Sequence, residues 1–241
     1  MKKLLLTLFV SVFILLPSYA GKYDVFHPYN YTFDNNAGEK LLFILDLSNS
    51  MNETLENNTK FNLMLKTLRE VLPKISADTQ VGLRIYGYRM GFTPVEACRA
   101  STLAVPIVSN NVDNIQSALS KRKPRGMTPI TFSLKQAIKY DFGDFIGKKH
   151  IVLMTDGGEN CDESPCSFVM QLIKFRRDVQ IDVIAFNINN SDDLNQLRCT
   201  ALVTSGKFYN AQTSAQLFDG FNNSIKGIKN VDAKILLSDF K

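Results

Sequence analysis

The sequence predicts an α/β fold built on a mostly parallel sheet, and three features predict it. Short apolar runs rich in Leu, Ile and Val recur along the chain. They alternate with stretches whose apolar residues fall at helical spacing. Gly, Asp and Asn mark the junctions. A nearly unbroken apolar run is the signature of a strand buried on both faces, and its alternation with helices is the signature of a parallel sheet covered on both sides.

Each element has its own reason. Residues 41–45 (LLFIL) form the first continuous run. Over 60–75, Phe61, Met64, Leu65, Leu68, Val71, Leu72 and Ile75 make one apolar helical stripe. A second strand is expected at 81–86. The run 102–108 carries Pro106 and suits an edge strand, because proline has no N–H to donate to a ladder. Ser109 or Asn110 can cap a short helix carrying Val112, Ile115 and Leu119. Thr128 fits an N-cap, with Pro129 at the first helical position. Further strands are expected at 151–155, 181–186 and 207–209, with helices at about 165–177, 192–204 and 215–225.

Composition bounds the function. The chain has 241 residues, 45% of them hydrophobic, enough for a substantial core and too apolar for a disordered chain. There are 28 Lys and Arg against 23 Asp and Glu, interspersed, so no clustered basic face argues for nucleic acid. Residues 1–20 (MKKLLLTLFVSVFILLPSYA) have the layout of a secretory signal: two lysines, an apolar run, Pro17, then small residues before Gly21. The run at 4–16 is shorter than the roughly 20 residues that cross a bilayer, and no later segment is long enough. The expected organisation is a signal peptide at 1–20, an N-terminal arm at 21–38, a domain at 39–226 and a tail at 227–241. In that tail Val231, Ala233, Ile235 and Leu237 alternate with other residues. No membrane span is expected in the mature chain. The expected location is periplasmic or secreted from a bacterium.

An exported chain keeps its cysteines in an oxidising compartment, so Cys98, Cys161, Cys166 and Cys199 are expected as disulfides. Four cysteines allow three full pairings. Zinc is disfavoured, because only Cys161 and Cys166 are close and no His accompanies them.

The chemistry gathers where strands end. In a doubly wound sheet the ligand site lies beyond the carboxyl ends of the strands. Asp46, Ser48 and Ser50 follow the first strand, Thr128 opens a helix, and Asp156 follows the strand at 151–155. These are two carboxylates and three hydroxyls at one sheet edge. Hard divalent cations take oxygen ligands. An incomplete protein shell leaves one position for a ligand from outside.

The motifs DLSNS (46–50), GMTP (126–129) and TDGGEN (155–160) resemble those of the von Willebrand factor A (VWA) domain with its metal-ion-dependent adhesion site. The resemblance spans about residues 39–226. IYGYR (85–89), CRAS (98–101), ENC with SPC (159–166) and LRCTAL (197–202) are similar to a bacterial exported branch. The resemblance implies a three-layer Rossmann-like fold with a six-stranded sheet, parallel except for one edge strand. It implies Mg²⁺ or Mn²⁺, with Ser48, Ser50 and Thr128 coordinating through hydroxyls and Asp46 and Asp156 largely through water. It also implies a protein partner that offers an acidic side chain to the metal. A regulatory or assembly subunit of a larger machine is the alternative. Asn49 stands where the family usually has Gly, and Asn tolerates the left-handed region that such a turn can need. With the family's strand order, Cys98 and Cys199 lie on opposite sides of the site, and each is expected to bond to one of Cys161 and Cys166.

Other candidates carry less. His27 lies in the arm and His150 opens a strand away from the site, neither with a nucleophile beside it. Glu159 adjoins the metal loop and reads as a supporting residue. The run 121–125 (KRKPR) reads as a solvated loop able to attract an acidic partner to the rim. No phosphate-binding glycine loop and no nucleophile elbow is present. A hydrolase lacks a well-placed base, so the expectation is no enzyme.

Overall fold

In the computed structural model, residues 33–34, 36–161 and 163–226 are described. The signal segment, His27, most of the arm and the alternating tail lie outside them. A six-stranded sheet runs in the order β5-β4-β1-β6-β7-β8. Its strands are β1 (Glu39–Asp46), β4 (Gln80–Tyr86), β5 (Ser101–Val108), β6 (Lys148–Thr155), β7 (Val179–Phe186) and β8 (Phe208–Ala211). Only β5 of this sheet is antiparallel, paired with β4, and it lies at the edge, as its Pro106 predicts. A small hairpin, β2 (Thr54–Leu55) and β3 (Asn58–Thr59), leads into the first helix.

Successive side chains of a strand face opposite sides, so β1 feeds two cores. Leu41, Phe43 and Leu45 pack with α1 (Lys60–Val71), α3 (Val112–Ser120) and α7 (Ser214–Ile225). Phe43 meets Phe221 of α7 with ring centroids 6.1 Å apart. Leu42 and Ile44 pack with α4 (Ile130–Gln136), α5 (Pro165–Leu172) and α6 (Ser191–Val203). A four-residue helix, α2 (Pro94–Ala97), interrupts the loop after β4. Every expected strand is present, and among the described residues no helix is long and apolar enough to cross a membrane.

Three local expectations need correction. Thr128 does not cap α4: Pro129 occupies the cap position with ψ 70° and the helix opens at Ile130. The Thr128 amide is instead donated to Asn160 Oδ1 at 2.7 Å, which holds the residue outside the helix. The expected helix at 165–177 ends at Leu172, although its cap Ser164 accepts from the Ser167 amide as a cap should. Neither Ser109 nor Asn110 caps α3. Asn110 has φ 54°, and Asn111 at the cap position turns its amide to the carbonyls of Val81 and Pro106.

The cysteines pair as Cys98–Cys161 and Cys166–Cys199, with Cα atoms 5.5 and 5.4 Å apart. Cys98 and Cys199 thus each join one member of the central pair. The first bridge ties the loop after β4 to the loop after β6, and the second ties α5 to α6.

Candidate metal centre

From β1 the chain crosses first to β4 on one side and later to β6 on the other, so the order reverses at β1. That reversal opens a crevice at the carboxyl edge, the place where such sheets hold ligands. Asp46 is the last residue of β1, Tyr86 the last of β4, and Asp156 directly follows β6. The loop carrying Thr128 is drawn alongside by the Asn49 amide, which donates to the Gly126 carbonyl at 3.0 Å, and by a parallel bridge between Ser48 and Gly126.

The side chains converge. Ser50 Oγ donates to Asp156 Oδ1 at 2.6 Å, and the Ser48 and Ser50 hydroxyls are 3.0 Å apart. Asp46 Oδ1 accepts from the Ser48 amide at 2.6 Å, and its Oδ2 accepts from Thr155 Oγ1 at 2.8 Å. Asp46, Ser48, Thr128 and Asp156 are all buried, with Ser50 half-buried. The expected oxygen donors of β1 and β6 therefore meet, and Thr128 lies on the adjoining strand of loop.

Burial dominates the electrostatics of both site carboxylates. Burial and the nearby charge of Asp156 push the Asp46 carboxyl up to about 7. Burial also raises Asp156, against the opposing pull of Ser50 and Lys60. Two buried carboxylates, with the charge of Asp156 discouraging that of Asp46, suit a bound cation.

Several supports escaped the sequence reading. Lys60 Nζ lies 3.1 Å from Asp156 Oδ2 and 2.7 Å from Glu53 Oε2, its side chain almost fully buried. Burial alone would lower its ammonium, but Glu53 and Asp156 outweigh that and hold it above the usual lysine range. At the head of a helix it reads in sequence as a surface residue. The buried Tyr86 phenol is raised well above its ordinary value, by burial first and then by the Asp46 charge. Gly87 has φ 70°, and a Cβ there would stand 2.5 Å from the Ser48 amide nitrogen, so the DLSNS loop rests on a residue that only glycine fits. Asn49 is not in the left-handed region; it opens a 3-10 turn, Asn49–Asn52, so the family's usual Gly is not needed for its backbone. The Glu159 carboxylate accepts the amides of Thr131 and Cys161 at 2.7 and 3.0 Å, which ties the loop after β6 to the start of α4.

The sequence profile of the von Willebrand factor type A domain matches residues 40–223. The chain belongs to the VWA family. Two uncharacterized proteins of Bacillus subtilis (strain 168) resemble it across most of their length. YwmC is 28% identical over 73% of this chain and 78% of its own, and YwmD is 26% identical over 77% and 84%. Among solved structures, proximal thread matrix protein 1 of the mussel byssus, with a zinc-occupied MIDAS motif, superposes with a TM-score of 0.59 at 22% identity. That match covers 80% of this chain and 46% of the mussel chain. The pilus adhesin SpaC from Lactobacillus rhamnosus GG superposes at 0.57 with 14% identity, over 82% of this chain and 31% of SpaC. The chain thus spans less than half of either structure, and both likenesses are likenesses of fold. Within the VWA frame, the donor set of two carboxylates and three hydroxyls fits a hard divalent cation.

Proposed function

We propose that this VWA protein is exported and binds a partner protein through a divalent cation, Mg²⁺ or Mn²⁺, held by Asp46, Ser48, Ser50, Thr128 and Asp156. The observation that carries the reading is the meeting of Ser48, Ser50 and Asp156 around Asp46 at the sheet's switch point. Bound there, the cation supplies a Lewis-acidic position that an acidic side chain of the partner can occupy. The chain's own part is to hold its donors still. Asp46 is pinned by the Ser48 amide and Thr155, and Asp156 by Ser50 and Lys60. The mussel protein's zinc-occupied motif and the adhesin fold of SpaC support a metal-dependent binding role. Exposed Lys121, Lys123 and Arg125 stand beside the Thr128 loop and favour an acidic partner.

Two disulfides fit an oxidising compartment, and with the signal-like residues 1–20 they support a periplasmic or secreted location. The VWA domain would then occupy 39–226, after an arm at 21–38 and before a tail at 227–241. The fitting role is binding without catalysis. Calorimetric titration of oxidised protein from Gly21 with Mg²⁺ and Mn²⁺ tests the site. Saturable binding is expected in the wild type and none in Asp46→Ala with its fold retained; equal binding by both refutes the assignment.

A further inference from the structure

The metal-site loops contain a positive charge of their own. Lys60 opens α1, and its backbone amide donates to the Glu53 carbonyl at 3.0 Å, which closes the base of the β2–β3 hairpin directly after the 3-10 turn Asn49–Asn52. That fold delivers the ammonium to Asp156. The two carboxylate oxygens of Asp156 are divided between neighbours: Oδ1 accepts from Ser50, and Oδ2 faces Lys60. The Lys60 side chain is 4% exposed and that of Asp156 is 0% exposed, so water screens the pair little. The other carboxylate on Lys60, Glu53, is 64% exposed and well solvated.

We propose that Lys60 is a resident counter-cation of the metal site, which holds Asp156 in place without metal and keeps the affinity for divalent cations low. The inference rests on the reading that this site binds such a cation. A hard cation gains affinity with the negative charge of its ligands. Lys60 neutralises much of what Asp156 offers, so the protein's own donors hold the metal weakly. An anionic group from outside restores the missing charge, and metal and anion therefore strengthen each other's binding, as linkage requires. Glu53 acts in the opposite sense, because it draws part of the ammonium's charge away from Asp156.

Manganese titration of four proteins tests this, by calorimetry and by the loss of the free Mn²⁺ electron spin resonance signal, with melting in chelator as a second readout. Lys60→Met is expected to bind Mn²⁺ about tenfold more tightly than wild type and to melt at a lower temperature in chelator. Lys60→Arg keeps the charge and is expected to retain weak binding, which separates charge from packing. Glu53→Gln leaves the ammonium to Asp156 alone and is expected to bind a few-fold more weakly. Unchanged or weaker binding by Lys60→Met overturns the proposal. If that variant does not fold, unchanged or tighter binding by Glu53→Gln overturns it. Absence of Mn²⁺ binding in both wild type and a folded Lys60→Met instead refutes the metal-site reading itself.

Discussion

His150 sits near the amino end of β6, far along the strand from the metal-site loops, and is 1% exposed. Its Nδ1 lies 3.0 Å from Glu39 Oε1 and its Nε2 lies 3.3 Å from Asp182 Oδ2, while Lys148 reaches the same Glu39 oxygen at 3.5 Å. Burial by itself would lower the imidazole, but Asp182 and Glu39 outweigh it and hold it above the usual histidine range. A group whose folded pKa exceeds its unfolded value of about 6.5 binds its proton more tightly when folded. Its stabilisation is complete below about pH 6.5 and is lost as pH rises through the folded value. Asp182 works in a separate window. His150 holds it below the usual aspartate range despite burial, so its contribution is lost only as pH falls through that lowered value. The wild type should therefore melt at a lower temperature at pH 9 than at pH 6. His150→Gln should reduce that difference and, by leaving the buried Asp182 without its cation while Glu39 keeps Lys148, cost about 3 kcal/mol at pH 6. Melting curves across this range check both. A pH slope unchanged in the variant would remove His150 as its source.

At the scale of elements, the strands and the donors were legible because each depends on local sequence. LLFIL has no polar residue to turn outward, and DLSNS and TDGG place hydroxyls and carboxylates directly after apolar runs. What escaped depends on distant partners. The α4 start shifted by one residue because Asn160, 32 positions on, takes the Thr128 amide. Lys60 acquires its role only from Asp156, 96 positions away. The glycine constraint also lies away from the motif: Asn49 keeps a negative φ, whereas Gly87 in the neighbouring loop sits in the left-handed region against Ser48. Two substitutions separate these. Asn49→Gly should change stability by about 1 kcal/mol or less, because no left-handed backbone is being relieved. Gly87→Ala should cost at least about 2 kcal/mol, because it adds left-handed strain and drives a methyl into the Ser48 backbone. It should also displace Ser48 and Ser50 and weaken metal binding. Denaturant titration and Mn²⁺ affinity of the two variants check this, and equal effects would show that the DLSNS loop does not rest on Gly87.

For the whole molecule, the two cores hold the sheet and the two disulfides tie down what lies beyond it. The bridges close stretches of 63 and 33 residues. On the chain-entropy account each stabilises the fold by about 4 kcal/mol, so replacing either pair with serine should lower Tm by on the order of 10 °C in a domain of this size. Their effects on the site should differ. Cys161 follows Asn160, whose side chain holds the Thr128 amide, and its own amide is fixed by Glu159, which also caps α4. Loosening Cys98–Cys161 frees that whole corner and should weaken Mn²⁺ binding. Cys166 and Cys199 lie on α5 and α6, away from the donor loops, so their removal should cost stability alone. The paired serine variants, titrated with Mn²⁺ at a temperature where both stay folded, separate the two roles. Equal weakening by both would mean that the metal site responds to the stability of the sheet as a whole, and that the 98–161 bridge has no special hold on Thr128.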